Sequence, residues 1–377
     1  MTKDGIAIFY IGQDDLIDLL ATSMVSVCYN TKALINFYIL DCGISDFNKE
    51  QLESLKKNFD NFTIEYLPVD LTIFQDIKKY KGFSDFWAKL LIPDIKQDIS
   101  KAIYLDTDTI ALADVEEFWN QDFDGYALAA VPAFYYDRWR DKTFKKHYPI
   151  SENFLFINTG TLLIDCERWR KERIFDKLMA LIRKYNDVLD QAVGFDEIIL
   201  SLYFENNFKI LDGRFNSTDH ENTLQEFRAE YSDSYLDNEW KHVVIRHFAG
   251  SDKPWVELRN DYNNQILKNY SAFWFFAQMT PWGSGMWNRF QESIFRKNAQ
   301  NKSSPVKFEN SGWHSGLATK RRYYLFNVFL FLKAKIKGHT YRSYLFGLIP
   351  FLKITTKNKK RYYKLFDFIP FLKIKDK

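Results

Sequence analysis

Three short apolar runs near the front of the chain, Ile6-Ala-Ile-Phe-Tyr-Ile11, Ile35-Asn-Phe-Tyr-Ile-Leu40 and Phe62-Thr-Ile-Glu-Tyr-Leu67, are separated by longer segments with helical spacing such as Phe47 to Phe59. Strands that alternate with helices pair through crossover connections, which builds a mainly parallel sheet covered on both faces, with ligands bound beyond the carboxyl ends of its strands. A further apolar strand, Ala102-Ile-Tyr-Leu, runs straight into Asp106-Thr107-Asp108. Side chains at i and i+2 of an extended segment face the same way, so Asp106 and Asp108 can converge on one hard cation or on a phosphate-bound cation. Acidic pairs are also common in turns, where Asp bonds its own backbone, so the pair alone decides nothing.

Downstream, Phe154 to Asp165 reads as another buried strand, Arg168 to Tyr185 and Asp196 to Phe204 as helices, and Lys241 to His247 as a short strand ending on a histidine. Residues 212 to 242 are polar and aromatic without a clear period, the pattern of loops folded over a site. Residues 257 to 319 read as helices joined by loops. The tail repeats every 20 residues: Tyr323 to Lys333, Ser343 to Lys353 and Tyr363 to Lys373 align without a gap. Each unit is a mostly apolar and aromatic run bracketed by Lys or Arg, too short to cross a bilayer but suited to lie among headgroups. The alternative is a set of helices capping the body. A basic nucleic-acid patch is disfavoured because nothing polar for reading bases accompanies the aromatic residues.

Charge divides the chain the same way. From Lys320 onward there are 16 Lys and Arg against 2 Asp and Glu, leaving 36 against 47 before it. The body is acidic and the tail basic. Three widely spaced cysteines, Cys28, Cys42 and Cys166, lack metal-ligand spacing and suit a reducing compartment. The amino-terminal residues lack a secretory signal pattern, and no run reaches the roughly 18 apolar residues of a membrane span, so a cytoplasmic protein is expected.

Four more segments accompany the Asp106-Thr107-Asp108 strand end: Leu40-Asp-Cys-Gly-Ile-Ser45, Phe83-Ser-Asp-Phe-Trp-Ala-Lys89-Leu-Leu-Ile-Pro, Phe156-Ile-Asn158-Thr-Gly160-Thr-Leu-Leu-Ile-Asp-Cys-Glu-Arg-Trp169, and His247-Phe-Ala-Gly250-Ser-Asp-Lys253-Pro-Trp255. In order and spacing this set resembles the family 8 glycosyltransferases, the retaining nucleotide-sugar enzymes that build bacterial lipopolysaccharides and lipooligosaccharides and prime glycogen. The resemblance covers about residues 5 to 256. It implies a GT-A fold over residues 1–260, a Rossmann-like, mixed and mainly parallel sheet flanked by helices. A helical extension over 261–319 and a helical basic-aromatic tail over 320–377, at an anionic membrane surface, are expected to follow.

The resemblance also implies a chemistry: transfer of glucose or galactose from a UDP-sugar to an oligosaccharide or lipid-linked acceptor, with Mn²⁺ or Mg²⁺ as cofactor. The metal ligands correspond to Asp106, Asp108 and His247; a histidine in isolation would as readily be a core residue bonded to backbone. Lys253, with Gly250 before it, corresponds to the lysine on the departing phosphates. Lys89 takes the place of an arginine, giving a point charge instead of a planar fork. Asn158 matches an asparagine on the donor-sugar or acceptor side, or is a buried amide at a strand end. Asp196 falls near the anomeric carbon, where it could be a nucleophile, stabilise an oxocarbenium-like transition state, or simply cap a helix. Tyr10, Asp14 and Asp15 are the candidates for uracil and ribose, with helix capping as the other reading of the two acids. Ala129-Ala-Val-Pro-Ala133 lacks the acid often used to read donor hydroxyls. Two other readings fit the same residues: a catalytically silent sugar-nucleotide or lipid-binding scaffold, and a self-glycosylating primer.

Overall fold

A computed structural model describes residues 5–79, 83–133, 147–148, 150–151, 154–189, 195–218, 242–250, 253–256 and 264–300, together with the strands between 319 and 375. They form two compact units, one of residues 1–255 and 272–289, the other of 256–271 and 290–377.

The first unit is built on a seven-stranded sheet. Strands β1 (Ile6–Gly12), β2 (Ile35–Asp41) and β3 (Phe62–Pro68) pair in parallel, and β1 also pairs in parallel with β4 (Lys101–Leu105). Every residue of β1 is buried, as a strand with helices on both faces requires. Helix α1 (Ile17–Asn30) is itself almost wholly buried, and α2 (Asp46–Glu53) is capped by the Ser45 hydroxyl, which accepts from the Asn48 N–H.

Beyond β4 the direction reverses. After β5 (Thr109–Ala111) and β6 (Leu128–Pro132), β7 (Ile157–Asp165) runs antiparallel between β4 and β6, and β8 (Lys209–Ile210) joins β6 in parallel. The register pairs Lys101 with Asp165 and Leu105 with Thr161. The first residues of β7 therefore lie beside the carboxyl end of β4, and the Asp106 N–H extends the ladder to the Gly160 carbonyl at 2.8 Å. A second sheet takes β5 and sets against it β10 (Ile245–His247), which also pairs with β9 (Ser217–Thr218). His247 is thereby held opposite Thr109, one residue past Asp108.

The strand expected from Phe154 begins at Ile157, and the helix expected from Arg168 to Tyr185 is two helices, Cys166–Lys171 and Ile174–Tyr185. They break at Arg173, whose φ of 54° lies in the left-handed region. The loop expected over 212–242 falls for the most part, at 219–241, outside the described residues, as do 301–318. Within the first unit the segment 272–289 packs on the body: Phe273 lies against Phe248 and Trp255, and the Trp274 Nε1–H donates to the Pro254 carbonyl at 3.2 Å.

The tail corrects the expectation of a helix. Strands β11 (Thr319–Leu325), β12 (Phe329–Lys337), β13 (Thr340–Leu345), β14 (Ile349–Lys357), β15 (Lys360–Leu365) and β16 (Ile369–Lys375) form an antiparallel six-stranded meander, two strands to each 20-residue repeat. Pro350 and Pro370 would break a helix interior, and each sits at a register shift, where a strand tolerates proline. The run Lys333-Ala-Lys-Ile-Lys337 alternates with a period of two, which fits a strand and no helix. Among the described residues no helix is long and apolar enough to cross a membrane.

Candidate metal and nucleotide-sugar site

Where β4 ends, Asp106 and Asp108 meet His247. Nε2 of His247 lies 3.2 Å from Asp108 Oδ1 and 4.0 Å from Asp106 Oδ2, and one ligand atom from each of the three falls within 4.8 Å of the others. The other oxygen of each carboxylate is committed elsewhere. Asp106 Oδ1 accepts from the Tyr104 hydroxyl at 2.5 Å and faces Lys89 Nζ at 3.4 Å. Asp108 Oδ2 is ion-paired with Lys253, whose ammonium also donates to the Phe248 carbonyl at 2.7 Å. Each aspartate is thus anchored through one oxygen and presents the second to the imidazole. Two carboxylate oxygens and one imidazole nitrogen make a donor set that suits Mn²⁺ or Mg²⁺ and is poorer in nitrogen and sulfur than zinc sites usually are.

Hydrogen-bond logic settles which imidazole nitrogen is presented. The Gly160 N–H donates to Asn158 Oδ1 at 2.9 Å, and a backbone N–H can only donate, so that atom is the amide oxygen. Asn216 must then offer its Nδ2 to the same oxygen, which it does at 2.9 Å, and its own Oδ1 is left facing His247 Nδ1 at 3.0 Å. Nδ1 therefore carries a proton, and Nε2 is the nitrogen turned toward the two carboxylates, where a cation would take its lone pair. Gly160 supplies the space: a Cβ there would lie 2.6 Å from Nδ1 and 2.9 Å from Nε2 of His247.

A second cluster adjoins the first. Lys89, 3% exposed, donates to Asp196 Oδ2 at 2.7 Å and stands 4.6 Å over the Tyr104 ring. The Thr159 hydroxyl donates to the same Asp196 oxygen at 2.7 Å. Burial alone would push the Lys89 ammonium toward neutrality, but the Asp106 and Asp196 charges outweigh it and hold its pKa above the ordinary value. Burial likewise opposes ionisation of Asp196, and the Lys89 charge with the two hydrogen bonds holds that carboxyl below the usual range. Asp108 is held down in the same way, against its burial, by Lys253 and His247. Tyr104 is raised well above the ordinary phenol, first by burial and then by the neighbouring Asp106 charge, so it remains a donor.

Asp106, Asp108, His247, Lys253, Lys89 and Asp196 thus form one connected group. Thr107 is half-buried at the turn between the aspartates, and Gly250 has a φ of 83°, a left-handed turn between His247 and Lys253. Asn158 is 2% exposed, with its oxygen turned toward Gly160 and Asn216. Asp196 sits in the first turn of the helix Phe195–Phe204. Tyr10 corrects the nucleotide-pocket expectation: it is fully buried, its hydroxyl bonded to Ser23 on α1 at 2.8 Å, because its position in β1 faces that helix. Asp14 is exposed and ties two loops together, accepting from Asn48 Nδ2 at 2.7 Å and the Ser45 N–H at 2.9 Å. Asp15 is exposed beside it. Neither acid is an N-cap: Gln13 holds that position for the turn Asp14–Leu16 and Leu16 for α1. Sequence reasoning missed Tyr104, Thr159 and Asn216. Tyr104 shares a strand face with Asp106 and could have been found by that spacing, whereas nothing near Asn216 in the sequence signals its place.

The family model described as Glycosyl transferase family 8 matches residues 7–259. A Haemophilus influenzae protein named as a glycosyltransferase is 32% identical over 249 residues, 66% of this chain and 72% of that protein. Glycosyltransferase GlyA of Streptococcus pneumoniae is 27% identical over 268 residues, which span 71% of this chain but 34% of GlyA. The lipopolysaccharide 1,2-glucosyltransferase of Escherichia coli is 23% identical over 274 residues, 70% of this chain and 75% of that enzyme. The galactosyltransferase LgtC, solved with donor and acceptor sugar analogues, aligns with a TM-score of 0.61 at 23% identity over 73% of this chain and 96% of that one, a likeness of fold.

Asn216→Ala removes the acceptor that fixes the His247 tautomer and should weaken Mn²⁺ binding about 10- to 100-fold by calorimetric titration, with Gly160→Ala producing a comparable loss. Unchanged affinity in both variants would remove the positioning role. The buried charges set a pH signature as well. Asp196 ionises more readily folded than unfolded, so it stabilises the fold above its unfolded pKa of about 3.9, and that contribution disappears as pH falls further. Lys89→Met leaves the carboxylate buried without its partner, so its deficit in denaturation midpoint against wild type should be largest near neutrality and shrink on acidification. A pH-independent deficit would show that Lys89 acts only by packing.

Proposed function

The chain belongs to glycosyl transferase family 8, and from that premise we propose that it is a retaining, metal-dependent hexosyltransferase. Its donor is UDP-glucose or UDP-galactose, and its acceptor a lipid-linked or cell-surface oligosaccharide of the lipopolysaccharide kind. The observation that carries this reading is the convergence of Asp106, Asp108 and His247, with the imidazole lone pair oriented by Asn216. Mn²⁺ or Mg²⁺ held by those three residues would supply positive charge to the donor diphosphate and ease departure of UDP.

The protein groups divide the remaining work. Lys253 lies beside the trio and carries the cation that neutralises the phosphates as they leave, on a loop turned by Gly250. Thr107 lies between the two aspartates. Lys89 faces Asp106 and holds Asp196 ionised. Asp196 has one oxygen engaged by Lys89 and Thr159, which lowers its basicity and suits it better to stabilise positive charge at the anomeric carbon than to form a covalent bond there. Asn158 acts through Asn216 on the metal ligand. Asp14 and Asp15, in the turn after β1, would contact the nucleoside. The protein works at the inner face of the cell membrane, where residues 320–377 meet anionic lipid and keep the active site near a membrane-bound acceptor.

Incubation with UDP-glucose and UDP-galactose should release UDP when Mn²⁺ or Mg²⁺ is present and stop on chelation, and Asp106→Asn should abolish the release. Absence of release from every common UDP-hexose in the presence of metal would favour a silent nucleotide-binding scaffold. Asp196→Asn should lower transfer by at least about tenfold with UDP affinity retained, the mark of an interaction made chiefly in the transition state. Near-normal turnover would discard that role.

A further inference from the structure

The meander of the tail sorts its residues by face. Its register pairs Lys320 with Lys335, Lys335 with Arg342, Arg342 with Lys353 and Lys353 with Lys364, one basic residue on each of five neighbouring strands. Neighbouring strands lie about 4.8 Å apart, so the five positions form a line of about 19 Å. Lys357, Lys360 and Lys375 make a second such row on the same face. The adjacent positions, which alternation assigns to the opposite face, form the row Ile336, Tyr341, Ile354, Tyr363 and Leu372. The six strand sequences contain no Asp or Glu.

Like charges directly opposite one another destabilise strand pairing, and five in line do so cumulatively. An extended surface of opposite charge removes that penalty across the whole row, which no single counter-ion does. We propose that this basic face is the surface of the chain that lies on an anionic phospholipid bilayer. The partner is a lipid plane rather than a nucleic acid for two reasons. The strand sequences hold no Asn or Gln to read a base edge, and Tyr344 and Tyr362 share the basic face, as aromatic residues at a headgroup boundary do. The inference rests on the reading of residues 320–377 as the membrane-facing segment and adds which face makes the contact.

Full-length protein should co-sediment with vesicles of equal parts phosphatidylglycerol and phosphatidylcholine and not with phosphatidylcholine alone. The row pair Lys335→Gln with Arg342→Gln should weaken that binding about 30-fold, each base contributing about fivefold. The charge-matched pair Arg321→Gln with Arg361→Gln, on the opposite face and about a Debye length away, should cost less than about 3-fold. Lys335→Arg with Arg342→Lys should bind as wild type, which separates loss of charge from loss of fold. Equal losses from the two Gln pairs would overturn the face assignment while membrane attachment stands. Failure of wild type to bind anionic vesicles would overturn both, and tighter binding to a single-stranded oligonucleotide than to vesicles would replace the lipid plane as the partner.

Discussion

Two carboxylates at one strand end repel each other, and the site exists because each is balanced from its own side. Asp106 is drawn toward Tyr104 and Lys89, Asp108 toward Lys253, and the two remaining oxygens are turned inward to the same imidazole nitrogen. In a partly buried setting these charge-assisted contacts are stronger than at the surface, and removing one partner leaves a charge that neither water nor protein satisfies. The arrangement stores negative charge where a divalent ion can use it.

Backbone topology makes that balance possible. In an all-parallel sheet the neighbour of β4 would reach the site only at its carboxyl end. Because β7 runs antiparallel, the residues at its start, Asn158, Thr159 and Gly160, arrive beside Asp106 and divide three tasks among three consecutive positions. Asn158 anchors the amide chain that orients His247, Thr159 binds Asp196, and Gly160 yields the room that the imidazole fills. Strand β10 brings His247 from far along the sequence by pairing with the short β5 just after Asp108. The aromatic contacts of Phe273 with Phe248 and Trp255 then fix the segment on which Lys253 is carried.

What could be read in the sequence was whatever depends on periodicity or on a short run of residues. The alternation of apolar strands with helical segments announced the sheet, and the Asp106-Thr107-Asp108 turn with His247 and Lys253 announced the cluster that these residues form. Asn216 was invisible because its role comes from two partners, Asn158 and His247, that only the folded sheets bring together. Tyr10 was misassigned because position along a strand says that a residue is near the ligand end but not which face it occupies, and this one faces α1. A bracketed basic-aromatic unit is compatible with a surface helix, whereas the period-two spacing of the lysines and the mid-unit prolines of the tail favour strands.

Lys89 shows why a substitution that looks conservative carries information. Resemblance to the family leads one to expect an arginine here, whose planar fork would address one carboxylate with two parallel bonds. The ammonium instead reaches Asp196 at 2.7 Å and Asp106 at 3.4 Å and stands 4.6 Å from the centre of the Tyr104 ring. A compact cation suits that bridging position better than a flat one, because its field is shared between two carboxylates without a preferred plane. Directional control therefore passes to the neutral partners, the Thr159 hydroxyl on Asp196 and the Tyr104 hydroxyl on Asp106, each of which fixes the oxygen that the lysine only attracts. Charge and geometry are supplied by different residues, so a change at Lys89 disturbs ionisation first, and a change at Thr159 or Tyr104 disturbs aim.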